Sequence, residues 1–228
     1  VLSDIVGDPV DMIASGPASP DSSTCADALA AAEKYALRLS DTAWGLLAQE
    51  TPKTADNVTV RVTGSVRELC AAAAKACRDL GYTPEILTDC EQGVAREVGA
   101  RLGALARENA SCGTPRAFIL GGETVVRLTG NGKGGRNQEL ALAAAAEIAG
   151  TENIVVFSVG SDGTDGPTDA AGGLADGGTV ERLAAAGKTV ADVLQNNDAY
   201  HALRDTGDLI ITGPTGTNVN DFAAALVR

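Results

Sequence analysis

Short apolar runs, each ending in a glycine-rich or polar loop that leads into a helical stretch, constrain this chain more than any other feature. Residues 154–159 form an apolar run of the kind found in the middle of a sheet. Residues 117–120 form a second, closed by Gly121-Gly122-Glu123. Residues 84–88, 124–129 and 209–212 read as further strands, and Val58, Val60 and Val62 alternate with polar neighbours as an exposed strand does. Helical stretches are expected at 65–80, closed by Gly81, and at 94–109, 137–149, 180–186, 191–194 and 217–227. Strands alternating with helices predict an α/β fold: a layered, largely parallel or mixed sheet flanked by helices.

The first 24 residues read as loop, with turn signals at Gly7-Asp8-Pro9, Ser15-Gly16-Pro17 and Ser19-Pro20-Asp21. No strand or helix precedes them to give this stretch a partner, so the chain reads as one that begins inside a larger protein. Residues 21–24 cap an expected helix at 25–37; an apolar segment at 43–49 and a linker at Thr51-Pro52-Lys53 follow.

Composition removes several kinds of chemistry. A net charge of −12 repels nucleic acid and anionic lipid. No apolar run approaches the roughly 20 residues that span a bilayer, and the start at Val1-Leu2-Ser3-Asp4 has no signal-peptide pattern. The five cysteines (Cys25, Cys70, Cys77, Cys90 and Cys112) are scattered, with no Cys-x-x-Cys pair, and His201 is the single histidine, which leaves no zinc site. Scattered thiols in odd number suit a reducing cytoplasm. Nor is there a Gly-x-Ser-x-Gly elbow for a serine hydrolase.

Three loops at strand ends hold the groups that remain. Gly130-Asn131-Gly132-Lys133-Gly134-Gly135-Arg136 opens a helix, so backbone N–H groups, Lys133 and Arg136 can face an anion. The match to Gly-x-Gly-x-x-Gly is weak and no Walker motif is present; the plainer alternative is a flexible hairpin tip. Ser161-Asp162-Gly163-Thr164-Asp165-Gly166-Pro167-Thr168-Asp169 gathers three carboxylates and three hydroxyls, an oxygen-rich loop that suits Mg²⁺ or, equally, a set of Asx turns. Gly213-Pro214-Thr215-Gly216-Thr217-Asn218-Val219-Asn220-Asp221 can cap the helix expected after it while neighbouring amides bind an anion. Glu123 adds a fourth polar group at a strand end.

Read together, Gly121-Gly122-Glu123-Thr124, Gly134-Gly135-Arg136-Asn137-Gln138-Glu139, Asp162-Gly163-Thr164-Asp165-Gly166-Pro167-Thr168-Asp169 and Thr212-Gly213-Pro214-Thr215-Gly216-Thr217-Asn218-Val219-Asn220-Asp221 resemble the glycerate 2-kinase family, also named hydroxypyruvate reductase, with its MOFRL-type C-terminal domain. Ser3-Asp4-Ile5-Val6-Gly7-Asp8-Pro9 looks like the middle of that family's chain.

The resemblance implies that residues 1–54 are the tail of an N-terminal Rossmann-like domain plus linker, and that 55–228 are the C-terminal α/β domain. It implies ATP-dependent phosphoryl transfer to the 2-hydroxyl of D-glycerate, giving 2-phosphoglycerate, with Mg²⁺ as the companion ion. Arg136 and Asp162 carry over as catalytic residues, with Asp162 and Asp165 as metal ligands. Gly121, Gly122, Glu123, Lys133, Gly134, Gly135, Asn137, Thr164, Thr168, Thr215 and Asn218 are the expected cofactor-binding positions. The family's functional lysine would lie in the missing N-terminal domain, so no lysine here takes that role. The resemblance leaves room for a homodimer and for a fragment inactive alone. Two other readings stand beside it: an NAD(P)H-dependent hydroxypyruvate reductase, with Gly130, Gly132 and Gly135 as its dinucleotide fingerprint, and a non-catalytic folded fragment.

Overall fold

A computed structural model describes residues 1–228. In chain order the elements are α1 (Cys25–Lys34), α2 (Asp41–Leu47), α3 (Val66–Asp79), β1 (Thr83–Glu91), α4 (Ala95–Glu108), β2 (Arg116–Gly122), α5 (Arg136–Ile148), β3 (Ile154–Gly160), β4 (Gly172–Asp176), α6 (Thr179–Ala185), α7 (Val190–Gln195), α8 (Ala199–Thr206), β5 (Leu209–Ile210) and β6 (Asp221–Val227). The chain divides into two compact units, one of Val1 with Asp8–Val62 and one of Leu2–Gly7 with Thr63–Arg228.

The smaller unit holds α1 and α2. Thr24 and Asp27 form a reciprocal capping box at the start of α1, which satisfies amides that the first helical turn leaves bare. The strand expected from the alternation of Val58, Val60 and Val62 does not form; Val58 and Val60 are 38% and 37% exposed. Alternation marks a strand only where a neighbour pairs with it.

The larger unit is built on a six-stranded sheet in the order β1-β2-β6-β3-β4-β5. Only β1 and β2 run parallel; every other neighbouring pair is antiparallel. The sheet is therefore mixed, not largely parallel. The reason lies in residues 217–227, where Ala223-Ala224-Ala225 suggests a helix. The segment instead forms β6, hydrogen-bonded to β2 on one side and β3 on the other. Its side chains alternate between two cores. Ala223, Ala225 and Val227 face α4 and α5, while Ala224 faces α3. Burial on both faces and pairing on both edges override helix propensity. Two further departures concern neighbouring segments. Residues 124–129 make only an isolated bridge, Val125 to Val94, although four of the six are β-branched. Gly172-Gly173 opens β4, a strand outside the expected set, where a side chain on Gly172 would overlap the carbonyl of Ser158 on β3.

Helix α5 is buried from Asn137 to Ala145 and again at Ile148. One side packs with α4 over the sheet, and Leu142 packs outward against Leu183, Val193 and Leu203 of the α6–α8 layer. A helix enclosed in this way is apolar nearly all round, which explains its run of alanines. Helix α4 approaches α5 through Gly99 and Gly103. A methyl at Gly99 would overlap the carbonyl of Leu140. Gly99→Ala should therefore destabilise by about 1–3 kcal/mol through overpacking, although alanine is the better helix former. Thermal unfolding checks this: an unchanged or raised midpoint would mean that the two helices do not pack this closely.

Candidate active site

The glycine-rich loop is held mainly by protein contacts. Thr129 N and Gly130 N donate to Asn197 Oδ1 at 2.7 and 2.9 Å, and Gly132 N donates to the Asn196 carbonyl at 2.8 Å. Asn131 N donates to Asn196 Oδ1 at 3.2 Å and Lys133 N to Asp198 Oδ1 at 2.9 Å. Side chains on Gly130 and Gly132 would collide with Asn196. These glycines thus allow the loop to lie against the α7–α8 turn, and their amides are already satisfied. Asn197, in the left-handed region at φ 53°, ties the turn together. Its Nδ2 donates to the Arg127 carbonyl and to Glu139 Oε2 on α5, and Arg96 meets the other oxygen of the buried Glu139 at 2.8 Å.

The start of α5 is also partly occupied. Asp165 is 3% exposed. Its Oδ1 accepts from Asn137 N and Nδ2, at 3.1 and 3.3 Å, and its Oδ2 accepts from Gln138 N and Nε2, both at 2.9 Å. All its lone-pair directions are taken, so the structure corrects its expected place as a metal ligand: Asp165 caps a helix. Burial pushes its carboxyl up to about 6, against the pull of the amides that bond to it. Gly135 has to be glycine because a side chain there would overlap the Asp165 carboxylate. What remains open is the stretch Gly134, Gly135 and Arg136, whose N–H groups have no protein partner.

Arg136 provides the fixed charge. Its Nε and Nη2 grip Asp221 at 2.5 and 3.1 Å, and Nη1 meets Glu123 Oε1 at 2.9 Å. Asp221 is 7% exposed at the start of β6, whereas the Glu123 side chain is 44% exposed. The bidentate pair with buried Asp221 sets the guanidinium plane, and Glu123 meets its Nη1 side. Three of the five guanidinium N–H groups are engaged, which leaves two for a ligand. Burial works against the Arg136 charge, but Asp221, Glu123 and Asp165 outweigh it and hold its pKa above the usual arginine value. Burial pushes Asp221 upward and Arg136 opposes this.

Arg136, Glu123 and Asp165 line a cleft of about 870 Å³, together with Ile5, Val6, Val125, Leu128 and Pro167. Of the residues expected at a site, the cleft gathers Glu123, Gly134, Gly135, Arg136 and Asp165. Asp162 stands beside it, at the end of β3. A methyl on Gly160 would lie 3.1 Å from Asp162 Oδ1 and 3.6 Å from Asp221 Oδ1, so both acids flank one point of the backbone. The Asp162 carboxylate accepts only from Thr164, through its N and Oγ1, both at 2.9 Å. Two lone-pair directions stay open on a half-buried group, a fit for one carboxylate ligand of Mg²⁺, which keeps waters and phosphate oxygens for the rest. No group of three or more His, Cys, Asp or Glu side chains is placed to hold a metal by protein ligands alone.

Several expected positions have other work. Gly121 and Gly122 are buried, and side chains there would strike Cys70 and the Glu91 backbone. Asn137, 1% exposed, bridges Asp165 and the Ser158 hydroxyl. Thr168 bonds within its own loop and to Gln138. Thr215 donates from its hydroxyl to Ser161 O and from its N to Asp162 O, and Val219 N donates to Ser161 Oγ, which stitches the acidic loop to the 213–220 loop. Asn218 accepts from Asn220 N, and no helix follows for it to cap. Lys133 lies over the Tyr200 ring, 4.6 Å from its centroid. Sequence reasoning missed the roles of Asp221 and Asn197; the doublet Asn220-Asp221 at a strand start was the available signal for the first.

Comparison with known proteins gives the chain a family. The MOFRL family matches residues 116–221, and a domain of unknown function, DUF4147, matches residues 1–48. The chain is 49% identical to the D-glycerate 2-kinase of Thermotoga maritima, over all of this chain and 55% of that protein. It is 34% identical to the glycerate kinase of Macaca fascicularis, over all of this chain and 71% of that protein. The crystal structure of a Thermotoga maritima glycerate kinase superposes with a TM-score of 0.95 at 47% identity, covering all of this chain and 56% of that one. The chain thus spans little more than half the length of the first relatives it matches. With this shared sequence and fold, the chain belongs to the glycerate kinase family.

Proposed function

We propose that the cleft is one side of the active site of an ATP-dependent glycerate kinase, which moves the γ-phosphoryl group of ATP to the 2-hydroxyl of D-glycerate and gives 2-phosphoglycerate. The observation that carries this reading is the fixed guanidinium of Arg136, with two free N–H groups, beside the unpartnered amides of Gly134, Gly135 and Arg136. Phosphoryl transfer asks for such positioned donors rather than for covalent chemistry. Arg136 stabilises charge on the group in transit, and the amides hold phosphate oxygens. Asp162 holds Mg²⁺ or orients the attacking hydroxyl. Mg²⁺, when bound, neutralises nucleotide phosphate charge. The relative named D-glycerate 2-kinase supports the choice of hydroxyl.

In this reading, residues 1–54 close an N-terminal domain and 55–228 form the C-terminal one, with the other side of the cleft supplied by the longer protein. The chain alone is then inactive. No helix is long and apolar enough to cross a membrane, and five free thiols suit a reducing cytoplasm. The reductase reading loses its main support, because Gly130, Gly132 and Gly135 are needed for packing against Asn196 and Asp165. One assay on the longer protein separates the two. Glycerate-dependent ADP formation is the expected result; NAD(P)H consumption with hydroxypyruvate, and no ADP, would refute the kinase.

A further inference from the structure

Asn220, the residue before Asp221, is 3% exposed and holds a left-handed backbone at φ 66°. Its Nδ2 donates to two oxygens, the carbonyl of Asp4 at 2.7 Å and Glu123 Oε2 at 3.3 Å. Its Oδ1 is buried with no partner. Turning the amide over would set that oxygen against two other oxygens, so the orientation is dictated by the two acceptors. The backbone carbonyl of Asn220 accepts from Ser161 N at 3.1 Å, which fixes the residue to the acidic loop. Glu123 meets Arg136 through its other oxygen. Consecutive residues therefore grip the same arginine, Asp221 directly and Asn220 through Glu123. Asp4 begins the stretch Asp4-Ile5-Val6 that walls the cleft.

We propose that Asn220 is a positioning residue: its amide sets Glu123, and through it the Nη1 side of Arg136, and ties the Asp4–Val6 wall to the same point. The inference rests on the kinase reading for its effect on turnover, and on geometry alone for its effect on Arg136.

Two substitutions in the longer protein separate side chain from backbone. Asn220→Gly keeps the left-handed conformation without strain and removes the amide. Asn220→Asp keeps the size and turns the donor into a second carboxylate facing Glu123. Both should lower kcat about tenfold, a modest misplacement of a charge-stabilising group, with KM for ATP changed less than about threefold. Asn220→Gly should cost less in a Glu123→Ala background than in the wild type, the non-additivity of a partly shared path. Hydrogen exchange at the Arg136 Nη1 protons, followed by NMR, needs no activity, and it should speed up in Asn220→Gly. Wild-type turnover with unchanged exchange in Asn220→Gly, or fully additive losses with Glu123→Ala, would overturn the proposal. If the wild-type protein makes no ADP with glycerate, the functional reading fails and the exchange measurement alone decides the role of Asn220.

Discussion

Replacing Arg136 by alanine in the longer protein is expected to lower kcat by about 10²–10³-fold while leaving KM for ATP within an order of magnitude. The size follows from what the guanidinium does. It is held in one plane by Asp221 and presents two N–H groups to the cleft. A donor fixed before the reaction begins needs no reorganisation when charge develops. Arg136→Lys keeps the charge but cannot make the two-point grip on Asp221, so it should recover only part of the rate. Each variant would leave Asp221 buried without its bidentate partner, so thermal unfolding has to be measured alongside. Steady-state kinetics decide the matter: an Arg136→Ala protein with kcat within about threefold of wild type would remove Arg136 from the transfer step.

The second large effect concerns stability. Asp165→Ala should destabilise the larger unit by about 3–5 kcal/mol, because it strips acceptors from the buried amides of Asn137 and Gln138 and leaves a void beside Gly135. Asp165 also makes a distinct pH prediction. Its folded pKa is raised to about 6 from 3.8. The folded state therefore binds the proton more tightly than the unfolded one, and ionisation of this group detracts from stability above pH 6. That penalty is relieved as pH falls through 6 towards 3.8. Between pH 7 and pH 5 the wild type should gain roughly 1 kcal/mol relative to Asp165→Asn, which does not titrate. Denaturant unfolding of both proteins at the two pH values checks this. A gap that stays constant, or moves the other way, would mean that Asp165 is not the buried acid described.

Much of this molecule was legible in its sequence, for identifiable reasons. The helices that became α3, α4 and α5 announce themselves by periodicity and by their ends, and β2 and β3 by unbroken apolar runs. The three loops and Glu123 were legible as a group, and Arg136 and Glu123 do share a cleft. What misled was local composition that tertiary contacts override. Three alanines in β6 read as helix until two neighbouring strands pair with them. The alternating valines at 58, 60 and 62 read as a strand that finds no partner. The glycine-rich loop reads as an anion cradle, yet Asn196, Asn197 and Asp198 take most of its amides. Those three residues lie far away in sequence, and nothing in the loop itself records them. Asp165 likewise reads as a metal ligand from its loop alone; only the fold places it against the start of α5.

The central claim is that the cleft around Arg136 belongs to a kinase acting on the 2-hydroxyl of glycerate. The most direct test is ³¹P NMR of the product formed by the longer protein from Mg-ATP and D-glycerate. A phosphate on the secondary carbon couples to one proton and one on the primary carbon to two. The expected result is a phosphomonoester doublet that grows about 10²–10³-fold more slowly in Arg136→Ala. A triplet, or no new phosphomonoester at all with the wild-type protein, would contradict it.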